Sequence, residues 1–276
     1  MPLIFPDFDP VALSIGPLAI RWYALAYIGG IALGVWLATW LGRQLPPNLK
    51  GRPKSEDYSD YTSWCVLGII LGGRLGYVLF YNLPYFIDNP LHIFRLWEGG
   101  MSFHGGIIGV ALSIILFTRI RKLNTLSFGD IAGTVATIGL FLGRLANFIN
   151  GELVGRPVQS DVPWAMVFPK IDQIPRHPSQ LYEAFSEGLL LFVIMMCLMR
   201  STYVKERSGL AFGIFVCLYA IFRAICELFR SPDVQLGFFA GGTTMGQLLC
   251  IPMFLIGAAI VIYAIRRGPQ TVGTRA

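Results

Sequence analysis

Three residues combine an unusual setting with side chains that can do chemistry. Arg144 and Arg223 interrupt the apolar segments FLGRLANFIN and YAIFRAICELF, and His104 lies near the start of another, MSFHGGIIG. An arginine guanidinium is a permanent cation that binds carboxylates and phosphates through paired hydrogen bonds. Histidine is the side chain that exchanges a proton near neutral pH. Together these residues indicate a site that binds an anion and in which a proton could be moved.

Other polar residues follow the two arginines at helical spacing. Tyr219 and Glu227 lie four residues to either side of Arg223, and Asn147 lies three residues after Arg144. Residues three or four apart share one face of a helix, so each set should point the same way. Glu227 could instead serve only as an ion-pair partner of Arg223 one turn away.

Two glutamates and a further arginine leave alternatives open. Glu183 and Glu187 are another pair at i and i+4, which predicts that one of them is protonated or paired with an arginine. Arg74, in GGRLGYVLFYN, is either a structural arginine paired with a glutamate or a further member of the site. His104 could likewise be a structural histidine with satisfied hydrogen bonds.

The composition indicates a membrane protein. Of 276 residues, 54% are hydrophobic and 14% are charged, whereas soluble domains carry about 25% charged residues. Apolar segments of roughly 18–22 residues recur, each long enough to cross about 30 Å of hydrocarbon. We therefore predict an all-α polytopic membrane protein with about seven transmembrane helices, forming a single membrane-embedded domain over residues 1–276. The predicted spans are 20–42, 62–82, 102–118, 129–150, 179–199, 209–230 and 245–265.

Basic residues are concentrated in alternate loops of this arrangement. Thirteen of the 22 basic residues lie on one side, which the positive-inside rule makes cytoplasmic. We therefore expect the N-terminus outside, the C-terminus in the cytoplasm, and a small external cap formed by residues 151–178. This asymmetry accounts for most of the net charge of +6. The sequence lacks the basic stripe with interleaved stacking aromatics that is typical of nucleic-acid binding. The thirteen residues are Arg43, Lys50, Arg52, Lys54, Arg119, Arg121, Lys122, Arg200, Lys205, Arg207, Arg266, Arg267 and Arg275.

The predicted topology brings the intramembrane polar groups to one depth. Arg144 lies about six residues, or about 9 Å, from the outer end of its span, and Arg74 and Arg223 lie at similar distances. Tyr23 and His104 follow shortly after their spans enter from the outside. An arginine in the middle of a membrane helix costs about 2.5–3.5 kcal/mol, so three at one level should have a partner for their charge. An anionic lipid headgroup fits, because its phosphate lies at this level.

Several other chemistries lack their sequence signatures. The five cysteines form no CxxC pair and the three histidines are widely separated, so we predict no disulfide framework, no metal site and no cofactor. There is no Walker loop or nucleophile elbow. Transport of an anion and transfer of a lipid group both remain open, as does a purely structural membrane subunit. A transporter needs access from both faces, yet the polar groups concentrate in the outer half, and a structural subunit would make their shared depth a coincidence.

Motifs along nearly the whole chain resemble one family. The stretch GRLANFINGELVGR, residues 143–156, resembles the signature of prolipoprotein diacylglyceryl transferases, which are bacterial inner-membrane enzymes. Ala24 and Ala220 occupy positions at which glycine is common in that family. The segments that fit the family in the same order are RWYALAY, GGRLGYVLFYN, MSFHGGIIG, RHPSQLYE and YAIFRAICELFR.

The resemblance implies a reaction and its partners. Members of this family move the diacylglyceryl group from phosphatidylglycerol to the thiol of the lipobox cysteine in the signal peptide of a preprolipoprotein, and release glycerol phosphate. It implies the bacterial inner membrane as the location, with the active site facing the outer leaflet and the periplasm. By this resemblance His104 is a candidate base, while Arg144 and Arg223 orient the lipid and stabilise the leaving phosphate. Tyr23, Asn147 and Tyr219 are candidate lipid contacts. The residues expected to shape and brace the site are Glu152, Gly155, Glu227, Arg74, Asn150 and Glu183.

Overall fold

The fold is known from a computed structural model that describes residues 2–16, 18–158, 162–232 and 239–271, without the side chains of residues 15, 18, 103, 104 and 240. Helices dominate it, and most of them coincide with the predicted spans. The principal helices are α1 (Trp22–Arg43), α2 (Ser55–Phe80), α3 (Leu83–Asp88), α4 (Phe103–Ile120), α5 (Thr125–Asn150), α6 (Ser179–Leu198), α7 (Leu210–Cys226) and α8 (Met245–Arg267).

Five helices in the described part of the chain are long and apolar enough to cross a membrane, namely α1, α2, α5, α6 and α8. Helices α4 and α7 also coincide with predicted spans, but their apolar stretches are shorter, Gly105–Ile120 and Leu210–Cys226. The chain is therefore a mainly helical protein with several candidate membrane crossings. Seven crossings, and the orientation of the termini, remain predictions.

Backbone contacts divide the chain into two compact units. Unit 1 contains residues 1–37 and 130–270, and unit 2 contains residues 38–129 and 271–276. Helices α2 and α4 belong to unit 2, whereas α6, α7, α8 and nearly all of α5 belong to unit 1. The single membrane-embedded domain expected from the sequence stays a prediction.

In unit 2, α2 and α4 pack backbone against backbone at glycines. A Cβ atom on Gly72 would overlap the carbonyl oxygen of Gly105, and one on Gly68 would lie 2.8 Å from the carbonyl oxygen of Gly109. Hydrophobic burial drives helix association weakly in lipid, so close approach through small residues takes its place. Glycines at these positions therefore allow α2 and α4 to pack closely.

A buried acid links two helices of unit 1. Asp130, near the start of α5, accepts hydrogen bonds from the backbone N–H groups of Gly209 and Phe212, each at 2.8 Å. These donors lie at the start of α7, where N–H groups have no partner within the helix. Asp130 therefore caps α7, which carries Arg223, from α5, which carries Arg144.

Helix α6 changes its winding along its length. It begins as an α-helical turn over Ser179–Glu183 and continues as a π-helix over Ala184–Leu190 before it becomes α-helical again. π-Helical turns are rare and are frequent at functional sites. A Cβ atom on Gly188 in this segment would lie 2.7 Å from the Cα of Phe141 in α5, so the two backbones touch there.

Short strands join the beginning of the chain to the predicted cap. Strand β1 (Leu3–Ile4) pairs in parallel with β4 (Met166–Val167), and β4 pairs antiparallel with β5 (Pro175–Arg176). Strands β2 (Val11–Ile15) and β3 (Leu18–Arg21) form a separate hairpin. The all-α prediction did not include these strands. Strands β1, β4 and β5 have two residues each, too few for an alternation that a sequence pattern can reveal.

A small aromatic core supports this β-structure. Phe5, which follows β1, stacks on Phe168 with ring centroids 5.0 Å apart and meets Phe148 of α5 edge to face. Val154 and Met166 complete the buried cluster. Three residues of the predicted cap, Val154, Met166 and Phe168, are thus packed in one cluster with Phe148 of α5.

Substitution of Gly72 by alanine should destabilise unit 2, because the new Cβ would overlap the α4 backbone. Overpacking costs about 1–3 kcal/mol, which should lower the midpoint of thermal unfolding of the purified protein in detergent. The matched control is Gly29→Ala in α1, where a Cβ meets nothing within 4 Å and helix propensity slightly favours alanine. Equal midpoints for the two variants would contradict close packing of α2 on α4.

Candidate active site

Arg144 is held near the end of α5 by two carboxylates of α6. Its Nη2 lies 2.8 Å from Oε2 of Glu183 and 3.4 Å from Oε2 of Glu187. Both glutamates are fully buried, and the Arg144 side chain is only 14% exposed. Buried ions persist where they are paired, so these contacts explain how an arginine is tolerated in an apolar helix.

Glu183 also binds the second predicted arginine. Its Oε2 accepts a hydrogen bond from Nη1 of Arg223 on α7 at 2.8 Å, so a single oxygen contacts both Arg144 and Arg223. Oε1 of Glu187 lies 3.6 Å from Nη1 of Arg223. The sequence left open whether one of these glutamates is protonated or paired with an arginine. In the structure both Glu183 and Glu187 are paired with arginines.

A third carboxylate and a third arginine complete the group. Arg223 Nη2 forms an ion pair with Oε1 of Glu227, whose Oε2 accepts a hydrogen bond from Thr244 Oγ1 at 2.7 Å. Arg230 Nη1 lies 3.4 Å from Oε1 of Glu183, and its Nε lies 3.9 Å from Oε1 of Glu227. We refer to the following six residues as the ion-pair cluster: Arg144, Glu183, Glu187, Arg223, Glu227 and Arg230.

The formal charges of the ion-pair cluster balance, with three arginines and three glutamates in contact. From the sequence we expected the arginines to need an anionic ligand for their charge. The buried carboxylates already supply that compensation. Helical spacing could indicate only the pair of Arg223 with Glu227, which the structure contains. The pairs of Glu183 and Glu187 connect α6 with other elements, so spacing could not reveal them.

One donor of the cluster has no acceptor. Nε of Arg144 is buried and makes no hydrogen bond to any residue that the structure describes, since both ion pairs of Arg144 use Nη2. A buried donor without an acceptor is costly and uncommon in native proteins. An oxygen of a bound phosphate or carboxylate would satisfy it through a charge-assisted hydrogen bond. This N–H is therefore a candidate contact for such a ligand.

A second polar network joins α1, α5 and the turn after α5. Glu152 Oε1 accepts hydrogen bonds from the Tyr23 hydroxyl at 2.7 Å and from Asn147 Nδ2 at 2.8 Å. Asn147 Nδ2 also contacts the Tyr23 hydroxyl, and Gln180 Nε2 donates to the backbone carbonyl of Glu152 at 2.6 Å. Tyr23 is thus in direct contact with two other predicted site residues, Asn147 and Glu152, which lie 124 and 129 residues away in the sequence.

Backbone contacts attach the start of the cap to the end of α7. A Cβ atom on Gly155 would overlap the carbonyl oxygen of His177, so only glycine fits at this approach. Arg156 donates to the carbonyl oxygens of Arg230 and Glu227 at 2.8 and 2.9 Å. Carbonyls at the end of a helix have no N–H partner within it, and Arg156 supplies a donor to one of them, that of the C-cap residue Glu227. The carbonyl of Arg230 lies beyond the helix. Arg156 of the cap therefore fixes the backbone at Glu227 and at Arg230.

Two titratable residues of the cap, His177 and Asp172, are paired with neighbouring side chains. His177 Nδ1 lies 3.1 Å from the Tyr182 hydroxyl, and burial lowers the pKa of His177, so the ring is neutral at pH 7. Hydrogen bonds from Arg176 lower the pKa of Asp172, which keeps that carboxylate ionised beside its partner.

Three further predicted site residues, Tyr219, Asn150 and His104, lie on three different helices. Tyr219 is buried on α7, one turn before Arg223. Asn150 ends α5, and its buried Oδ1 accepts no hydrogen bond from the described residues. His104 lies at the start of α4 in unit 2, and its side chain is outside the described part of the chain. Its role as a base stays the one implied by the resemblance.

Arg74 in unit 2 has a different environment. It is 5% exposed, and its three nitrogens donate to backbone carbonyl oxygens rather than to a glutamate. This geometry favours the structural alternative, with carbonyls as partners in place of the expected carboxylate. The acceptors belong to His92, Ile93, Arg95, Gly99 and Gly100.

Several residues that form the site were not identified from the sequence. Arg230 lies seven residues after Arg223, two helical turns along the same face, and that spacing was an available signal. Glu187 was noted only as a partner of Glu183. Gly188 and Gln180 carry no sequence signal for their roles, because each depends on a contact with a different element.

Comparison with known proteins identifies the family. The family model for prolipoprotein diacylglyceryl transferase matches residues 10–263. Among the similar curated proteins is the phosphatidylglycerol–prolipoprotein diacylglyceryl transferase of Azospirillum brasilense, 55% identical over 266 residues that cover 96% of this chain and 97% of the relative. Proteins of the same name from Gluconobacter oxydans and Nitrobacter hamburgensis are 52% and 54% identical and cover 98% and 99% of this chain, and 97% and 95% of their own lengths.

The matches extend over both units and include every residue of the ion-pair cluster. Relatives that are more than half identical over nearly their full lengths leave no large segment of either protein unmatched. The chain belongs to the prolipoprotein diacylglyceryl transferase family.

Proposed function

We propose that this protein transfers the diacylglyceryl group from phosphatidylglycerol to the lipobox cysteine thiol of preprolipoproteins. The reaction forms a thioether and releases glycerol phosphate, and it is the first step of lipoprotein maturation. Family membership supports the reaction, since the relatives carry these two substrates in their names. The structural observation that carries the proposal is the buried Nε of Arg144, which has no acceptor among the described residues and lies beside buried carboxylates. A phosphate oxygen is an acceptor that fits it.

The chemistry requires charge to move onto the phosphate. The thiol sulfur forms a bond to a glycerol carbon, and the bond from that carbon to the phosphate oxygen breaks. Its electron pair stays on the oxygen, and the thiol proton passes to a base. Arg144 and Arg223 would stabilise the negative charge that develops on the leaving phosphate. Donors that are fixed before the reaction stabilise such charge most effectively, because they need no reorganisation.

The buried glutamates are what fix the donors. Glu183 contacts Arg144 Nη2 and Arg223 Nη1 at 2.8 Å each, and Glu227 binds the other terminal nitrogen of Arg223. Long guanidinium side chains lose much of their rotamer freedom in these contacts before any lipid arrives. Arg230 supports Glu183 from a further direction. A phosphate would therefore meet two guanidinium groups that are already oriented.

His104 is the candidate base by resemblance. A thiol with a pKa near 8.5 is only a few per cent ionised at pH 7, so a proton acceptor speeds the attack. Imidazole is suited to this task near neutral pH. We assign contacts with the lipid to Tyr23, Asn147 and Tyr219. The bracing roles go to Glu152, Gly155, Glu227, Arg74, Asn150 and Glu183.

The proposal includes a topology. We infer seven crossings in the bacterial inner membrane, with the N-terminus outside, the C-terminus cytoplasmic and the site open to the outer leaflet. The basic residues of alternate loops support this orientation. The apolar stretch of α7, Leu210–Cys226, has 17 residues, and 17 is about the lower limit for a membrane span. A site in the outer leaflet is also where a secreted preprolipoprotein would present its lipobox cysteine.

Purified protein given phosphatidylglycerol and a lipobox peptide should add one diacylglyceryl mass to the peptide cysteine, as measured by mass spectrometry. Arg144→Gln should lower the rate by about 10²–10³-fold, the usual loss when one donor to developing charge is removed. The matched control is Arg121→Gln, which removes an arginine paired with Asp57 and Asp60 in unit 2 and should keep the wild-type rate.

A peptide with serine in place of the cysteine should gain no mass. If the folded wild-type protein transfers nothing to the cysteine peptide, the proposed function is wrong. If Arg144→Gln transfers at the wild-type rate, its assignment to the leaving phosphate is wrong.

Gly188→Ala should slow transfer without removing any charged group. Its Cβ would press on the Phe141 backbone and move the π-helical segment away from α5. This shift would carry Glu187, and Glu183 just before the segment, away from Arg144. Misplacement of an active-site group by about 1 Å costs about 10²-fold in rate. The control is Gly139→Ala in α5, where a Cβ has open space. Equal turnover of the two variants, measured by the same peptide assay, would show that the approach of α6 to α5 does not position the cluster.

A further inference from the structure

The balanced charge of the ion-pair cluster raises a problem for an anionic ligand. With three arginines and three glutamates in contact, the empty cluster is formally neutral. A phosphodiester at Arg144 Nε adds one negative charge next to carboxylates that are fully buried. An uncompensated charge in such a site is costly, and ionisable groups commonly respond by binding or losing a proton.

The contacts distinguish the three carboxylates. Glu183 has arginine nitrogens at 2.8 Å from two sides, and Glu227 has Arg223 on one oxygen and Thr244 Oγ1 at 2.7 Å on the other. Glu187 has only longer contacts, 3.4 Å to Arg144 and 3.6 Å to Arg223. Its buried Oε1 makes no hydrogen bond to any described residue. Protonation of Glu187 therefore sacrifices weaker ion pairs and hydrogen bonds than protonation of Glu183 or Glu227 would.

We propose that Glu187 takes up one proton when the phosphate group of the lipid binds at Arg144. This inference rests on the proposed function and adds a proton-binding site to it. The titratable groups that act on Glu187 come from three elements besides its own: Arg144 from α5, Arg223, Tyr219 and Cys226 from α7, and Cys250 from α8, together with Glu183 on α6. The two cations favour the charged form of Glu187 in the empty site. An arriving phosphate competes for the same guanidinium groups and removes that support.

Proton uptake has a direct signature in binding. If the complex holds one proton more than the free protein, the affinity for phosphatidylglycerol falls as pH rises, by up to about tenfold per pH unit. Titration calorimetry of the purified protein with phosphatidylglycerol in detergent, in two buffers of different ionisation enthalpy, measures the same proton directly. We expect uptake of about one proton per lipid bound in the wild-type protein.

Glu187→Gln is the decisive variant, because glutamine imitates the protonated carboxyl without its charge. It should bind phosphatidylglycerol at least as well as the wild-type protein at neutral pH, with no proton uptake and no pH dependence of the affinity. The matched control is Glu98→Gln, which removes an exposed acid paired with Arg95 in unit 2 and should keep the wild-type uptake. Free glycerol phosphate, titrated in parallel, separates recognition of the lipid from recognition of any phosphate ester.

Wild-type binding of phosphatidylglycerol without proton uptake would overturn the inference, as would undiminished uptake in Glu187→Gln. Uptake with glycerol phosphate but none with the lipid would also overturn it. The wild-type measurement decides the question even if Glu187→Gln fails to fold. Because the peptide assay reports transfer separately, an active enzyme that takes up no proton would refute this inference and leave the proposed function standing.

A second inference comes from unit 2 and from different contacts. Residues 83–101, which we term the 83–101 loop, contain the short helix α3 followed by irregular and 3₁₀ turns. Irregular backbone at membrane depth requires that its polar groups be satisfied within the protein. Arg74 does this for the loop, because its nitrogens donate to carbonyls between residues 92 and 100 at up to 3.1 Å.

The outward surface of the same loop is apolar. Ile87, Leu91, Phe94 and Trp97 are 68%, 76%, 74% and 80% exposed. Helix α2, which directly precedes the loop in the chain, exposes a row of leucines at i, i+4 spacing, Leu71, Leu75 and Leu79. The two oppositely charged side chains Arg95 and Glu98 neutralise each other at 3.1 Å. Exposed tryptophan and large aliphatic residues next to a membrane-length helix are typical of the layer in which lipid headgroups meet the acyl chains.

We infer that the 83–101 loop is seated in this layer of the bilayer, with Leu91, Phe94 and Trp97 in contact with lipid. The test reconstitutes the protein in phosphatidylcholine and phosphatidylglycerol vesicles, with brominated lipids as quenchers of tryptophan fluorescence. Trp97→Phe should remove a strongly quenched component that the wild-type protein shows, and iodide in the water should barely quench that component.

The result that would overturn this placement is an unchanged quenched fraction in Trp97→Phe, or stronger quenching of Trp97 by iodide than by brominated lipid. A lipobox signal peptide provides the alternative occupant. If the added peptide shields Trp97 from the brominated lipid, the surface is a peptide site and the assignment to lipid is wrong.

Discussion

One carboxylate oxygen, Oε2 of Glu183, lies 2.8 Å from Arg144 Nη2 and 2.8 Å from Arg223 Nη1. Two cations can share a buried anion only if three helices meet at one point, and much of unit 1 serves that requirement. Asp130 ties the start of α7 to α5, and Gly188 lets α6 touch the α5 backbone. Arg156 holds the carbonyls at the other end of α7. Each contact limits a motion that would separate buried opposite charges, and such a separation is strongly unfavourable.

The same residue type has opposite uses in the two units. Arg74 and Arg144 each lie six residues before the end of their helix, at Phe80 and Asn150. Arg74 gives its donors to backbone carbonyls, whereas Arg144 keeps a buried Nε without an acceptor among the described residues. A buried arginine whose donors are all used stabilises structure, and one with a donor left over can bind a ligand. Function follows here from what surrounds the guanidinium.

Much of the architecture could be predicted from the sequence, because long apolar segments are the strongest signal that a chain carries. The predicted spans end or begin within about four residues of the helices, except that α2 begins at Ser55, seven residues before its predicted span. Both candidate site arginines were found from their charge within apolar segments. The π-helical segment, the two-residue strands and the role of Gly188 could not be found, since each exists through contact with a distant element. The same limit explains why a lipid anion was expected as the partner of the arginines. Pairing of Glu183 or Glu187 with an arginine was one of two alternatives, and spacing could not identify Arg144 and Arg223 as the partners.

The pairing of β1 with β4 has a consequence for how the protein assembles. Leu3 lies opposite Met166, so this contact closes a loop that contains α1 to α5. Contacts between such distant residues form late, because the ordering of the intervening chain must come first. Phe5 can therefore reach its stacked position only after the segment with Phe168 has been synthesised and has folded back onto it. The cap that fixes Glu227 and Arg230 is among the last parts to close, so the ion-pair cluster becomes rigid only when the long-range folding of unit 1 is complete.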